Sequence, residues 1–99
     1  MLQDWTHALF AENQNTDFVV QHPHRGNVTV ELIGVSDLRE TPRQRMFSLV
    51  FRGPLEQPLE QGLYLMTHEI MGAESIFLVP IARESDGFRY EAVFNNLVQ

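Results

Sequence analysis

The stretch from residue 76 to residue 94, IFLVPIARESDGFRYEAVF, decides the fold. Its centre, Ser85-Asp86-Gly87, is the strongest turn signal in the chain, because an Asp-Gly pair suits the tight turn that joins two antiparallel strands. After the turn, residues 88–94 alternate apolar and polar or charged side chains, which is the period of a β-strand. Before it, residues 76–81 are apolar at every position, which predicts a strand buried on both sides. Pro80 places that strand at an edge or a bulge, because proline cannot donate to the ladder.

The same two-residue period recurs through the rest of the chain after residue 17. Gly34 interrupts one alternating run, and the apolar parity switches after it, which predicts a β-bulge. Strands do not alternate with long helices, so a parallel α/β sheet is excluded. We therefore expect a mainly β domain over residues 17–95, with about six antiparallel strands in a small barrel or a rolled sandwich. The expected core includes Phe47, Leu49, Phe51, Phe77, Val79, Tyr90 and Phe94.

One short helix is predicted at the N-terminus, over residues 1–14. Leu2, Trp5 and Leu9 recur at helical spacing and form one apolar face. A helix this short is marginal alone, so its apolar face must dock on the sheet or, alternatively, in a partner groove. Phe10 falls partly off that face. We expect it on the surface as a candidate partner contact, since aromatic residues are enriched at interface hot spots.

Length and composition restrict the function classes. The 99 residues make one domain, and the absence of cysteine excludes disulfides and thiol chemistry. The formal net charge is −6, which argues against nucleic acid and against anionic membrane surfaces as partners. No apolar run approaches a membrane span, and the first residues lack a basic secretory n-region. The expected location is therefore the cytoplasm.

Two histidines, His22 and His24, lie two residues apart, and an extended chain would place them on one face like metal ligands. A third ligand would have to come from elsewhere, with His68 or Glu69 as candidates. We favour a solvated turn and predict neither a metal nor another cofactor.

His68 shares one strand parity with Tyr64 and Met66. The first interpretation is that it caps a core face and hydrogen-bonds the backbone. The alternative is a titrating, ligand-facing histidine inside a small barrel. A zinc-protease motif is excluded, because Gly72 stands where its second histidine is required.

Three arginines, Arg39, Arg43 and Arg45, cluster in one charged loop. They suit a carboxylate or a phosphate, and with Phe10 they are the candidate partner contacts; the alternative is a solvated loop. The chain has neither a G-x-S-x-G elbow nor a glycine-rich phosphate cradle, so we do not expect an enzyme.

A set of unusual strings in the second half carries a resemblance. They are Gln61-Gly62-x-Tyr64-x-Met66-x-His68, Phe77-Leu78-Val79-Pro80 and Tyr90-Glu91-Ala92-Val93-Phe94-Asn95. The sequence resembles a family of short bacterial domains of unknown function, often encoded beside proteins with phage-tail-collar domains. That family typically has a glycine near the end of its first helix, where this chain has Asn15. The resemblance implies a fold and a neighbourhood and assigns no catalytic residue.

These observations favour a non-enzymatic protein-interaction or assembly module, associated with a phage-tail-like structure. Its partner is another protein or a second copy of the chain. A small-ligand-binding β-barrel is the alternative, and an acidic inhibitor protein is a further one. In the ligand-binding alternative, His68 faces the ligand.

Overall fold

The computed structural model describes residues 5–97. The elements follow one another as α1 (His7–Glu12), β1 (Asp17–His22), β2 (Gly26–Val35), β3 (Arg39–Glu40), β4 (Gln44–Gly53), β5 (Gly62–His68), β6 (Gly72–Glu84) and β7 (Gly87–Leu97).

The long strands form one antiparallel sheet that closes on itself. Their order is β2-β1-β5-β6-β7-β4-β3, and an additional pairing of β2 with β4 joins the two sides. Six strands therefore make a closed barrel, and the two-residue β3 lies outside it, paired only with the start of β4. The structure confirms the prediction of a mainly β fold and selects the barrel over the rolled sandwich.

The predicted irregularities lie where the sequence indicated them. The register of β2 against β4 shifts between Leu32 and Gly34, and that of β6 against β7 shifts between Pro80 and Ala82. The hairpin between β6 and β7 closes with Glu84 opposite Gly87. Gly87 has a φ of 144°, and a Cβ there would lie 2.5 Å from the Gly53 carbonyl oxygen, so only glycine fits.

The core fills the barrel interior with side chains from every long strand and from α1. Phe10 joins it at one end, with its ring centroid 5.2 Å from that of Phe94 and 5.9 Å from that of Phe47. The fully buried side chains are those of Phe10, Phe18, Val20, Leu32, Leu49, Phe51, Met66 and Leu78, all with 0% exposure.

Three members of the expected core are less buried than predicted. Phe77 is 48% exposed, Val79 is only half-buried, and Phe94 is half-buried against the core. The inward positions of this part of β6 are Ile76 and Leu78, so the odd-numbered side chains point outward. The prediction of a strand buried on both sides was wrong, because an apolar run does not show whether its second face has a partner.

The helix is shorter than predicted, and Phe10, which was expected on the surface, is buried. It begins at His7, after Thr6, whose Oγ1 accepts a hydrogen bond from the Leu9 N–H. The first part of the predicted helix, residues 1–4, lies outside the described residues. Phe10 has 0% exposure, which contradicts its expected surface position. Within residues 5–97, no helix has the length and apolar character needed to cross a membrane.

Asn15 makes the turn from the helix into β1. Its φ is 68°, in the left-handed region that glycine adopts most easily and asparagine tolerates. Its N–H donates to the Leu32 carbonyl at 2.6 Å, which aligns the start of β1 with β2.

Asn15→Ala should therefore destabilise the domain by about 1 kcal/mol, because alanine pays the full steric cost of the left-handed conformation. Asn15→Gly should leave the free energy of unfolding unchanged or slightly higher. Urea titrations followed by circular dichroism measure both variants. Equal stability of the alanine and glycine variants would contradict the conformational explanation.

Because Phe51 points inward and Phe77 points outward, replacing each with alanine should destabilise the domain by different amounts. Phe51→Ala empties a fully buried site and should cost about 3–5 kcal/mol. Phe77→Ala removes an outward, half-exposed ring and should cost less than about 1.5 kcal/mol. Thermal melts of the two variants provide the comparison, and a larger loss for Phe77→Ala would refute the assignment of the faces.

Candidate interaction surface

Large apolar side chains stand on the outside of the barrel along β5, β6 and β7. Leu63 is 68% exposed and lies directly opposite Phe77 in the β5–β6 ladder. Leu65 follows on β5 with 41% exposure, and Val93 on β7 is 67% exposed. We call these four residues the outer apolar face. Adjacent exposed apolar side chains on one sheet are typical of a binding surface, whereas single ones are ordinary.

The strand period explains why these side chains point outward. Tyr64 and Met66 on β5 are buried, so Leu63 and Leu65 between and beside them must face solvent. On β7 the buried Ala92 leaves Val93 on the outside. The outer apolar face is therefore as firmly positioned as the core itself.

Between Phe77 and Val93, two members of this face, β6 and β7 separate. Their ladder begins at Val79 opposite Glu91, and no pairing joins residues 72–78 of β6 to residues 92–97 of β7. We call this opening the β6–β7 split. An open groove of ≈ 700 Å³ lies there, lined among others by Phe47 and Phe94, whose rings stack with centroids 4.9 Å apart.

The described N-terminal segment borders the same groove. Trp5 lines it and is itself buried, and its indole Nε1–H donates to the Met71 carbonyl at 2.8 Å. Glu74 on β6 and Arg45 on β4 also line the groove. The groove thus combines aromatic rings with charged side chains of both signs.

His68 is buried, and both of its ring nitrogens are engaged within the protein. Nδ1 accepts hydrogen bonds from the N–H groups of Ile70 and Met71 at 3.0 and 3.2 Å. Nδ1 therefore lacks a proton, and Nε2 carries it and donates to Thr16 Oγ1 at 2.8 Å. Thr16 in turn donates to the Asn13 carbonyl at 2.6 Å. This is the core-capping arrangement, the first of the two interpretations of His68.

The hydrogen bonds of His68 require the neutral ring. Burial lowers its pKa below the usual 6.5, against a smaller raising effect of Glu69. Protonation would place a proton on Nδ1, where two N–H groups already point. His68 therefore joins the β5–β6 turn to the end of α1 only while it is uncharged.

His68 should make the domain acid-sensitive. Because its folded pKa lies below its unfolded value of about 6.5, its stabilising effect is complete above pH 6.5. The effect is lost as the pH falls from there through the lowered folded pKa. Urea unfolding at a series of pH values between about 7.5 and about 4.5 should show this loss.

The control for this prediction is His68→Asn, which keeps a side-chain acceptor for the turn but does not titrate in this range. Its free energy of unfolding should be lower at neutral pH and should depend less on pH than that of the unchanged protein. An identical pH dependence in both proteins would assign the acid sensitivity to other groups.

The three clustered arginines lie on one hairpin but point to different places. Arg45 lies opposite Glu40 and forms an ion pair with it at 3.5 Å, with both side chains more than half exposed. Arg39 lies opposite Met46 and lines a shallow groove of ≈ 420 Å³ that Val93 also lines. Arg43 is exposed at the turn. The structure brings Arg39 to the margin of the outer apolar face and keeps Phe10 away from it.

His22 ends β1, and His24 lies within the turn that leads into β2. His22 Nδ1 accepts from the N–H groups of His24 and Arg25 at 3.0 and 3.1 Å, so this ring stabilises the turn. Among residues 5–97, no cluster of three histidine, aspartate or glutamate side chains is arranged to hold a metal ion.

The sequence reasoning missed the outer apolar face. The signal was present, because residues 63–66 are apolar on both parities, as are residues 76–79. Two neighbouring strands with a second apolar face indicate either full burial or an exposed binding surface.

A closed barrel of six antiparallel strands, with a helix against one end, defines a small, mainly β domain with an exposed apolar face. The chain belongs to the family described as a domain of unknown function, DUF6916, whose model matches residues 5–94. No curated protein and no solved structure matches the chain.

Proposed function

We propose that this domain is a non-enzymatic protein-interaction module, which binds a protein partner with its outer apolar face. The observation that carries the proposal is the exposure of Leu63 and Phe77, two large apolar side chains held side by side on rigid strands. Burial of each against a partner would contribute roughly 1.5–3 kcal/mol.

The packed interior supports this proposal over a small-ligand barrel. Phe51, Met66 and Leu78 point inward with 0% exposure, and Tyr90 crosses the interior to accept a hydrogen bond from the Leu59 N–H at 2.8 Å. A ligand site of the usual size needs a few hundred cubic ångströms. These side chains fill the space between the strands, and the groove of ≈ 700 Å³ opens to the outside, which favours recognition by the outer surface.

The proposal also concerns the assembly to which the partner belongs. The resemblance of the sequence to bacterial domains encoded beside phage-tail-collar proteins supports a partner within a phage-tail-like assembly. A second copy of the chain is the alternative partner. The net charge of −6 on each copy disfavours such self-association.

Site-specific cross-linking in the native host tests the proposal. A photoreactive phenylalanine analogue replaces Leu63 in one variant and Phe77 in another. The matched control carries it in place of Thr29, which is exposed on β2, three strands from β6 around the barrel. We expect both outer-face variants to yield the same protein adduct, identified by mass spectrometry, and the control to yield none.

A tail-structure protein in the adduct would support the assembly setting, and an adduct of two chains would identify self-association. If neither outer-face position cross-links, or if position 29 gives the same adduct, the outer apolar face is not the binding surface.

A further inference from the structure

Within residues 5–97, two strand edges at the β6–β7 split have no paired strand beside them. Residues 72–78 of β6 pair with β5 on one side only, and residues 92–97 of β7 pair with β4 on one side only. Alternate N–H and C=O groups of both segments point into the split. Such groups are a template for one more strand.

From this geometry we infer that the split accepts an extended segment of another protein as an added β-strand. The inference rests on the proposed function and specifies how the partner is held. Strand addition uses main-chain hydrogen bonds for affinity and alternate side chains for specificity.

Apolar side chains border the split on both of its faces. On the inner side, the groove is lined by the half-buried Phe94 and by the rims of Trp5 and Phe47, which are otherwise packed into the core. On the outer side, Phe77 and Val93 flank the opening on β6 and β7. An added strand would therefore place apolar side chains against one face or the other at every second residue.

The charges at the split indicate a basic segment. Glu74 lines the groove at its mouth, and Glu91 marks the point where the β6–β7 ladder begins. Neither carboxylate forms an ion pair with another described residue. Arg45 lines the same groove, and its guanidinium lies 3.5 Å from the Glu40 carboxylate in a solvent-exposed ion pair. Two uncompensated carboxylates suit an apolar strand flanked by arginine or lysine.

A second copy of the chain fits the split less well than a basic partner. Each copy carries a net charge of −6, so a strand from a second copy brings more negative charge to Glu74 and Glu91. The segment that we infer in the split is therefore an extended, apolar and basic stretch of a different protein.

A synthetic peptide of about ten residues, with alternating valine and threonine between two arginine pairs, is the probe for strand addition. Amide hydrogen exchange measured by NMR locates it. We expect alternate amides of residues 73–78 and 92–96 to exchange quickly in the free protein and slowly with the peptide. Amides of the paired residues 79–84 should be protected in both states.

Charge reversal provides the matched pair of variants. Glu74→Arg places a positive charge at the mouth of the split and should weaken peptide binding about tenfold. Glu84→Arg makes the same change on an exposed residue at the far end of β6 and should leave affinity within about twofold. Both sites are exposed, so both variants should keep the melting temperature of the unchanged protein.

Three results would overturn the inference. The first is that the peptide fails to protect the amides of the split. The second is that both charge variants weaken peptide binding equally. The third is that a higher concentration of the chain alone protects the same amides. Cross-links from positions 63 and 77 in the host, together with unprotected split amides, would refute strand addition and leave the interaction module intact.

Discussion

The pairing of β2 with β4 is the constraint on which the rest of the structure depends. It joins the two sides of the sheet, with Leu32 opposite Phe51 and Val35 opposite Leu49. Without it, β2 would be a free edge, and the inward side chains of six strands would lack a closed interior. The irregularity between Leu32 and Gly34 gives β2 the local bend that closure requires. Because β2 and β4 are joined through the β3 hairpin, closure is also a short-range event along the chain.

The sequence predicts the features that depend on local geometry. The Asp-Gly turn, the bulge near Gly34 and the irregularity at Pro80 each follow from what a glycine or a proline allows the backbone to do. The alternation along residues 88–94 likewise places Tyr90 inside and Glu91 outside. Such features need no knowledge of distant residues, and the structure confirms them.

The errors have one physical origin, which is that burial is decided by distant parts of the chain. Phe10 is internal because three strands, far apart in sequence, bring Phe18, Phe47 and Phe94 around its ring. Phe77 is external because nothing within residues 5–97 covers that side of β6. Neither outcome is encoded in the neighbouring residues. For the same reason the sequence analysis did not predict the outer apolar face. A strand with two apolar faces has the same sequence pattern whether its second face is buried or exposed.

The position of Trp5 gives the protein a built-in optical reporter. It is the single tryptophan of the chain, and its ring packs edge-on against Phe10 and Phe18 while lining the groove of the split. Indole emission moves to shorter wavelength when water leaves its surroundings. Trp5 is only 5% exposed, so the folded, unlabelled protein should emit as a buried indole, and a shift to longer wavelength would follow the loosening of the β5–β6 turn, whose Met71 carbonyl accepts the indole hydrogen bond.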